Sequence, residues 1–382
     1  METSTLSSKD LGHDDSEAWN LARFDPSAVS PSRGHVESTF IKINDPTAPR
    51  ALWVKMTIFA PTEKTSGGPP FERGRTVAEA WAIAFDRSAD DGPAPSYREG
   101  SGAMRGGGPP RHVAAKKTVP IEDAFITRTR PFRLAVAGVE FDGRRLVGEI
   151  THGHARIRFD LTLTVRDPAP FVPFPLPAYR AAFPKSKPVT PIFDARANGE
   201  IVIEGSGATR TWEVRDWPAM QGHNWGGGHA DLYAWAHINS WNEAEGREVA
   251  FEGFSGRARI GRFTTPLVTI LGLRHRGVRY EARLPGELVR ARGRIERLRK
   301  WTFGTKQADA TIEGEIELRD DDTVGLYYPN PTGEMTYCLN SKIAHAELRF
   351  TPRGRAAIHL TSNAAALEIG TRDATHGIRM YV

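Results

Sequence analysis

Hydrophobic and polar residues alternate with a period of two along much of the chain. The segment from Ala155 to Val165 is the clearest case, because Ile157, Phe159 and Leu161 share one face and charged or hydroxyl residues share the other. Such alternation places successive side chains on opposite faces of a β-strand. Comparable runs rich in Val, Ile, Thr, Phe and Tyr recur from Ser38 onward, and long helical periodicity is nearly absent. The pattern predicts an all-β fold.

The strand-like runs fall into two sets on either side of a proline-rich stretch. With 382 residues the chain is longer than one typical domain. The segment from Asp167 to Pro191 contains eight prolines, a density that disfavours an interior strand or helix. We therefore predict a flexible leader over residues 1–36, an N-terminal β-barrel domain over residues 37–167, a Pro-rich linker over residues 168–194 and a C-terminal β-barrel domain over residues 195–382.

The segment from Trp212 to Trp241 carries an unusual density of functional side chains. Five of the nine tryptophans lie in this segment, together with three histidines and a glycine triplet at 226–228. From Ala230 onward the residues alternate, which predicts a strand with two different faces. One face carries Leu232, Ala234, Ala236 and Ile238, and the other carries Asp231, Tyr233, Trp235, His237, Asn239 and Trp241.

Two interpretations of the ring-bearing face stay open. Large rings with polar atoms commonly line ligand cavities, where a buried Tyr or Trp finds a polar partner. The same pattern also fits an ordinary aromatic-rich strand whose Trp and Tyr side chains pack between sheets. A second polar and aromatic segment, Tyr327 to Ser341, could border the same cavity or form a simple turn held by Asn, Pro and Gly.

Composition narrows the cellular context. The hydrophobic content of 39% is typical of a globular protein, and no stretch approaches the length of a membrane span. The first residues show neither a basic start nor an apolar run, so we predict no secretory signal and a cytoplasmic location. The single cysteine, Cys338, excludes an internal disulfide and is compatible with a reducing compartment.

The net charge of +5 would permit acidic partners. The basic residues Arg290, Arg292 and Arg294 share one strand face, which fits a solvent-exposed barrel exterior better than a nucleic-acid site. We therefore expect a hydrophobic small molecule as the partner and no nucleic acid. The sequence leaves the oligomeric state open.

Metal and cofactor motifs are missing. His223 and His229 would need a third ligand to hold zinc, and the sequence does not supply one at ligand spacing. A Gly-x-Ser-x-Gly elbow, a His-Glu-x-x-His helix and a Cys-x-x-Cys pair are all missing. We therefore predict neither a metal site nor a cofactor.

Four segments carry a family resemblance. They are Phe183 to Pro191, Met220 to Gly226, His229 to Trp235 and Tyr328 to Gly333. With them the chain resembles the lipocalin-like superfamily of tocopherol cyclases, carotenoid 1,2-hydratases (hydroxyneurosporene synthases) and related Diels-Alderases. The resemblance implies two tandem lipocalin-like antiparallel β-barrels joined by the Pro-rich connector.

The resemblance also implies a cofactor-free enzyme of hydratase, cyclase or isomerase type that acts on an isoprenoid, polyene or lipid-like metabolite. The alternative is a non-catalytic binding or carrier protein for a hydrophobic ligand. His223 and Trp225 match a hydratase-like His-x-Trp pattern, but where that pattern has Tyr and Asp on the next strand this chain has Phe251 and Glu252. We predict His223 and Glu252 as catalytic residues, His223 because its ordinary pKa allows either protonation state in the cell. The predicted ligand-binding residues are Asn224, Trp225, His229, Tyr233, Trp235, His237, Asn239 and Trp241.

Overall fold

The computed structural model describes residues 15–29, 32–63, 65, 75–87, 112–205, 207–257, 259–260, 262–282 and 285–381. Helices in these ranges are short. The α-helices are α1 (Ser16–Asn20), α2 (Leu176–Arg180) and α3 (Pro285–Leu288), and the 3-10 turns are Ile121–Asp123, Ala244–Glu248 and Asp320–Asp322. None of the described helices is long and apolar enough to cross a membrane.

The first half of the chain forms one antiparallel sheet. Its strands are β1 (His35–Asn44), β2 (Arg50–Ala60), β3 (Val77–Asp86), β4 (Val113–Pro120), β5 (Phe125–Ile126), β6 (Leu134–Val136), β7 (Val139–Phe141), β8 (Arg145–His152), β9 (Ala155–Asp167), β10 (Ser186–Gly205) and β11 (Ala208–Gly226). They are ordered β4-β3-β2-β1-β11-β10-β9-β8-β7-β6-β5. The sheet curls so that β4 comes against β8 and β9, which encloses a hydrophobic core with Val54, Phe159 and Trp212 among its members.

The second half forms another antiparallel sheet. Its strands are β12 (Leu232–Ile238), β13 (Val249–Arg257), β16 (Val268–His275), β17 (Val278–Ala282), β18 (Arg292–Glu296), β19 (Lys300–Lys306), β20 (Ala310–Glu317), β21 (Val324–Pro329), β22 (Met335–Pro352) and β23 (Ile358–Thr371), and the hairpin β14 (Arg259–Ile260) and β15 (Phe263–Thr264) is separate. The order is β17-β16-β13-β12-β23-β22-β20-β19-β18, with β21 on β22. Its own core contains Ala234, Phe251, Trp301 and Phe350.

The two sheets pack against each other through a third hydrophobic layer. On β2, Val54 faces the core of the first sheet, whereas Trp53 faces the opposite way and packs with Trp81 of β3 against the second sheet. The second sheet contributes Tyr328 and Ile343 to this layer. Both faces of the central strands are therefore buried.

The all-β prediction with two barrel-like halves is confirmed. The structure differs in where the halves meet, because β10 and β11 belong to the first sheet, where β10 pairs with β9 and β11 pairs with β1. The change of sheet falls between Gly226 and Leu232, not in the predicted linker over residues 168–194. Pro188 and Pro191 lie in the part of β10 that precedes its pairing with β9, which begins only at Asp194, and Pro191 falls at a register shift in the ladder with β11 between Val189 and Ile192.

One further boundary prediction needs correction. The predicted leader over residues 1–36 includes ordered structure, since Asp15 caps α1 through a 3.1 Å hydrogen bond from the Ala18 N–H and Trp19 is fully buried. Residues 1–14 of the predicted leader lie outside the described residues.

Replacing Trp19 with Ala tests whether this segment is part of the fold. The Trp19 ring packs against the tilted ring of Tyr179 with 4.9 Å between centroids, and it is completely buried. We expect Trp19→Ala to lower the free energy of unfolding by about 3–5 kcal/mol in chemical denaturation. Phe263, which is 75% exposed, provides a matched control whose Ala variant should change stability by less than about 0.5 kcal/mol. If both variants lower the free energy of unfolding equally, the segment around Trp19 is not part of the packed fold and the prediction of a leader stands.

Candidate functional site

A cavity lies between the two sheets, on the faces that point away from their separate cores. Its volume is about 70 Å³, enough for more than one water. The first sheet and its proline-rich strand contribute one wall, and the second sheet contributes the other. The lining residues are Phe40, Trp53, Lys55, Ser186, Pro188, Val189, Thr190, His223, Asn224, His229, Ala230, Tyr233, Trp235, Glu252, Phe254, Tyr328 and Glu368.

Aromatic rings make up much of this lining. Trp235 of β12 meets Phe40 of β1 edge to face, with 5.2 Å between centroids and 85° between planes. Tyr233 stacks on Phe254 of β13 at 6.3 Å and 23°. These pairings fix the rings in position, so the cavity is preformed and largely apolar.

Glu252 of β13 brings a carboxyl group into this apolar lining. Its Oε1 atom accepts hydrogen bonds from Thr190 Oγ1 at 2.7 Å and from Trp235 Nε1 at 2.9 Å. Its Oε2 atom is buried and has no hydrogen-bond partner among the described residues. Burial raises the pKa of Glu252 to about 7, although the two hydrogen bonds and the charges of Arg274 and Lys42 act in the opposite direction. Glu252 therefore exchanges its proton near neutral pH.

Glu368 of β23 is the second carboxylate at the cavity, and it is bound differently. It forms an ion pair with the fully buried Lys342 of β22, with 2.8 Å between Nζ and Oε1. Asn340 donates to the same oxygen at 3.4 Å, and the Cys338 thiol lies 3.5 Å from the other. Both oxygens of the Glu368 carboxylate are therefore committed to partners inside the protein.

Lys55 of β2 brings a positive charge to the opposite wall. Its side chain is 5% exposed, and its Nζ atom lies 3.5 Å from the centroid of the Tyr328 ring. The rings of Trp53 and Trp81 lie further out, at 5.9 Å and 5.8 Å. Burial lowers the pKa of Lys55 to about 8, and nearby Glu368 limits the decrease. The cavity thus has a cation on one wall and a titrating acid on the other.

The structure does not support His223 as the general acid. Its Nδ1 atom lies 2.6 Å from the carbonyl oxygen of Trp19, and its Nε2 atom lies 2.9 Å from Glu37 Oε1. Burial would raise the pKa of Glu37, but hydrogen bonds from His223 and His35 hold it well below its ordinary value. Because both ring nitrogens are engaged by acceptors, His223 has none left for a ligand. It instead ties α1 to β11 and β1.

Four of the predicted ligand-binding residues line the cavity: Asn224, His229, Tyr233 and Trp235. Burial, with Lys55 and Arg372 nearby, lowers the pKa of His229, so its ring is neutral at physiological pH. Its backbone N–H donates to Asn330 Oδ1 at 2.7 Å, which holds the glycine-rich turn in place.

The other four predicted ligand-binding residues lie outside the lining. Trp225 packs against Trp19 and Tyr179, and His237 is buried with Nε2 at 2.9 Å from the Phe193 carbonyl oxygen. Asn239 accepts from Lys42 at 3.1 Å and donates to Asp194 and Ala219. Trp241 follows the end of β12, packs against the core of the second sheet and donates to the Val249 carbonyl oxygen. The alternation of β12 ends at Ile238, so Trp241 no longer shares a face with Trp235.

Sequence reasoning missed the first-sheet wall and the charged pair of the second sheet. Lys55 stands in Leu52-Trp-Val-Lys-Met-Thr-Ile58, where a lysine interrupts an otherwise apolar or hydroxyl-bearing strand. Lys342 similarly interrupts the buried central part of β22. A charge inside a strand buried on both faces is the signal that could have indicated these residues. In the described part of the chain no group of three or more His, Cys, Asp or Glu side chains could hold a metal ion.

Fold and site together define an all-β protein with two curled sheets and an aromatic cavity between them. Residues 183–371 match the family model described as Tocopherol cyclase-like, so the chain carries a tocopherol cyclase-like domain over that range. This confirms the family resemblance found in the sequence. No curated protein matches the chain.

Two solved structures align with most of the chain. An AttH-like protein from Nitrosomonas europaea has a TM-score of 0.48 at 12% identity, covering 92% of this chain and 98% of its own. CghA in complex with Sch210972 has a TM-score of 0.49 at 9% identity, covering 88% of each chain.

Trp235 and Trp241 form a matched pair for testing the cavity. We expect Trp235→Ala to weaken binding of a polyene probe by about tenfold or more per folded molecule, because it removes a ring that contacts the cavity. The Trp241→Ala variant should lose stability and keep its probe affinity. Fluorescence titration of the probe, corrected for the folded fraction, measures both. If Trp235→Ala loses only stability, the ring-bearing face is an ordinary packing surface.

The raised pKa of Glu252 predicts a pH-dependent stability. Its pKa in the fold, about 7, lies above the ordinary value of 4.5, so folding favours the protonated form. The stabilisation is complete below about pH 4.5 and is lost as pH rises through about 7. The Glu252→Gln variant cannot titrate, so the stability of wild type relative to this variant should fall by about 3 kcal/mol between these pH values. Urea denaturation across the range measures it, and a difference independent of pH would contradict the raised pKa.

Proposed function

We propose that this protein is a cofactor-free enzyme that protonates a hydrophobic metabolite of isoprenoid or polyene type, in a hydration, cyclisation or isomerisation reaction. The observation that carries the proposal is the Glu252 carboxyl group, which has one unpartnered oxygen in an aromatic cavity and a pKa of about 7. The tocopherol cyclase-like domain over residues 183–371 supports the same reaction class.

The proposed reaction begins with the proton on Glu252. The carboxylic acid transfers it from Oε2 to one carbon of a substrate double bond, whose π electrons form the new C–H bond. The other carbon becomes a cation, and Glu252 becomes a carboxylate whose Oε1 keeps its hydrogen bonds from Thr190 and Trp235. Those donors stabilise the negative charge that forms during proton transfer.

The walls of the cavity suit the cation that results. The faces of Trp235, Tyr233 and Phe254 are electron-rich and attract a positive charge in a water-poor space. Three endings follow from the same intermediate. Water adds in a hydratase, an internal nucleophile adds in a cyclase, and a neighbouring C–H loses its proton in an isomerase, with the proton returning to Glu252 in each case.

Incubation in D₂O tests Glu252 as the acid of a hydratase, a cyclase or an isomerase, because all three reactions begin with the same proton transfer. We expect wild-type protein to incorporate deuterium from solvent into an isoprenoid alkene or quinol that binds, detected by mass spectrometry. The Glu252→Gln variant should lose about a hundredfold to ten-thousandfold of this rate while still binding the compound. The rate should be highest where Glu252 is protonated and should fall as pH rises above about 7.

Glu347 of β22 supplies the control, because its side chain is 62% exposed and lies outside the cavity. The Glu347→Gln variant should retain the wild-type rate. If every bound compound leaves wild-type protein unchanged and free of deuterium, the protein is a carrier with the same cavity, since aromatic lining alone suffices for binding.

A further inference from the structure

Lys55 differs from the other buried lysines of the interface. Lys342 has an ion pair with Glu368 and a 2.6 Å hydrogen bond to Asn340 Oδ1, and Lys42 donates to Asn239 Oδ1. The partly exposed Lys116 of β4 pairs with Glu79 at 2.7 Å. For Lys55 the described residues provide neither a hydrogen-bond acceptor nor an ion pair, only the faces of rings.

The nearby carboxylates are committed elsewhere. Glu368 binds Lys342, and Glu79 binds Lys116 and accepts from the Trp81 indole N–H at 3.2 Å. The contact with the Tyr328 ring offsets part of the cost of burying the Lys55 ammonium, but it leaves the N–H donors without oxygen acceptors. These donors lie at the wall of the cavity rather than in its packed surroundings.

We propose that the Lys55 ammonium binds a carboxylate on the ligand, so that the natural ligand is an isoprenoid or polyene acid rather than a neutral hydrocarbon or alcohol. The carboxylate would supply the oxygen acceptors that the protein does not. Lys55 lies on β2 of the first sheet and Glu252 on β13 of the second, so the head group binds at one wall and the hydrocarbon body meets the acid at the other. This assignment rests on the proposed function only in taking the cavity as the substrate site.

Matched pairs of ligands test the head group directly. Geranic acid is compared with geraniol, and farnesoic acid with farnesol, by calorimetric titration at neutral pH. We expect wild-type protein to bind each acid at least about tenfold more tightly than its alcohol, the size of a charged hydrogen bond gained in a buried site. Equal affinities, or binding of neither member of either pair, would overturn the proposal without need of any variant.

Variants then assign the preference to Lys55. Lys55→Met should abolish the preference for the acid and leave affinity for the alcohol within about threefold, since the aliphatic stem is kept. Lys55→Gln, which retains an N–H donor without the charge, serves if Lys55→Met does not fold, and should show the same loss. Lys42→Met removes a buried lysine outside the cavity lining and should keep the preference. A preference that survives both Lys55 variants would overturn the assignment.

The binding measurement separates this proposal from the proposed enzyme activity. Glu252→Gln should keep the preference for acids even where it abolishes deuterium incorporation. If Glu252→Gln loses deuterium incorporation but wild-type protein shows no preference for acids, the proposed enzyme activity stands and the proposed carboxylate head group is wrong. If wild-type protein prefers acids but turns none of them over, the proposed head group stands and the protein is a carrier of hydrophobic acids.

Discussion

The contact between the two curled sheets is the constraint on which the rest of the structure depends. Each sheet encloses its own hydrophobic core, so the strands that meet between the sheets are buried on both faces. On the face between the sheets, large rings and charged groups stand among the aliphatic side chains. A buried charge destabilises the fold unless it is paired and hydrogen-bonded, so the sheets can pack only where each such group finds a partner.

Most of the interface satisfies this requirement from within the protein. The pair of Lys342 and Glu368 is complete, and His223 is held between Glu37 and the Trp19 carbonyl group. Among the described lining residues, Glu252, Trp53 and Tyr328 each keep a buried polar atom without a hydrogen-bond partner, and Lys55 contacts only the faces of rings. Their incomplete pairing lowers stability, which is the usual consequence of keeping reactive or binding groups available in an apolar site.

The sequence predicted local features well and long-range ones poorly. Period-two alternation correctly separated Ala234 from Tyr233 and Trp235, because side-chain direction along a strand depends only on position in that strand. It could not show that β1 and β2 supply the opposite wall, since that depends on how separate sheets pack. The proline-rich stretch led us to place the domain boundary too early, because a strand accepts proline where it lacks a neighbour on one side or where its register shifts, as β10 does before Asp194.

The same dependence on long-range packing explains why the sequence favours His223 as the general acid, whereas the structure favours Glu252. An imidazole is an attractive acid by its ordinary pKa, but its availability depends on partners distant in the chain, here Trp19 and Glu37. A glutamate has an unsuitable ordinary pKa, and only burial beside Trp235 brings it near neutrality. Chemistry at this site is therefore set by tertiary packing more than by residue type.

The construction of the walls also determines where the cavity can widen. Among its lining residues only His229 and Ala230 lie outside strands, in the turn between β11 and β12. Moving a strand residue would break interstrand hydrogen bonds along its whole ladder, whereas moving this turn breaks the bonds from the Gly227 N–H to Lys185, from the His229 N–H to Asn330 and from the Asp231 N–H to Arg257. His229 also borders an outer groove, so the turn separates the cavity from the surface. A ligand larger than the present space is most easily admitted there, past a neutral imidazole that imposes no charge on a hydrophobic chain.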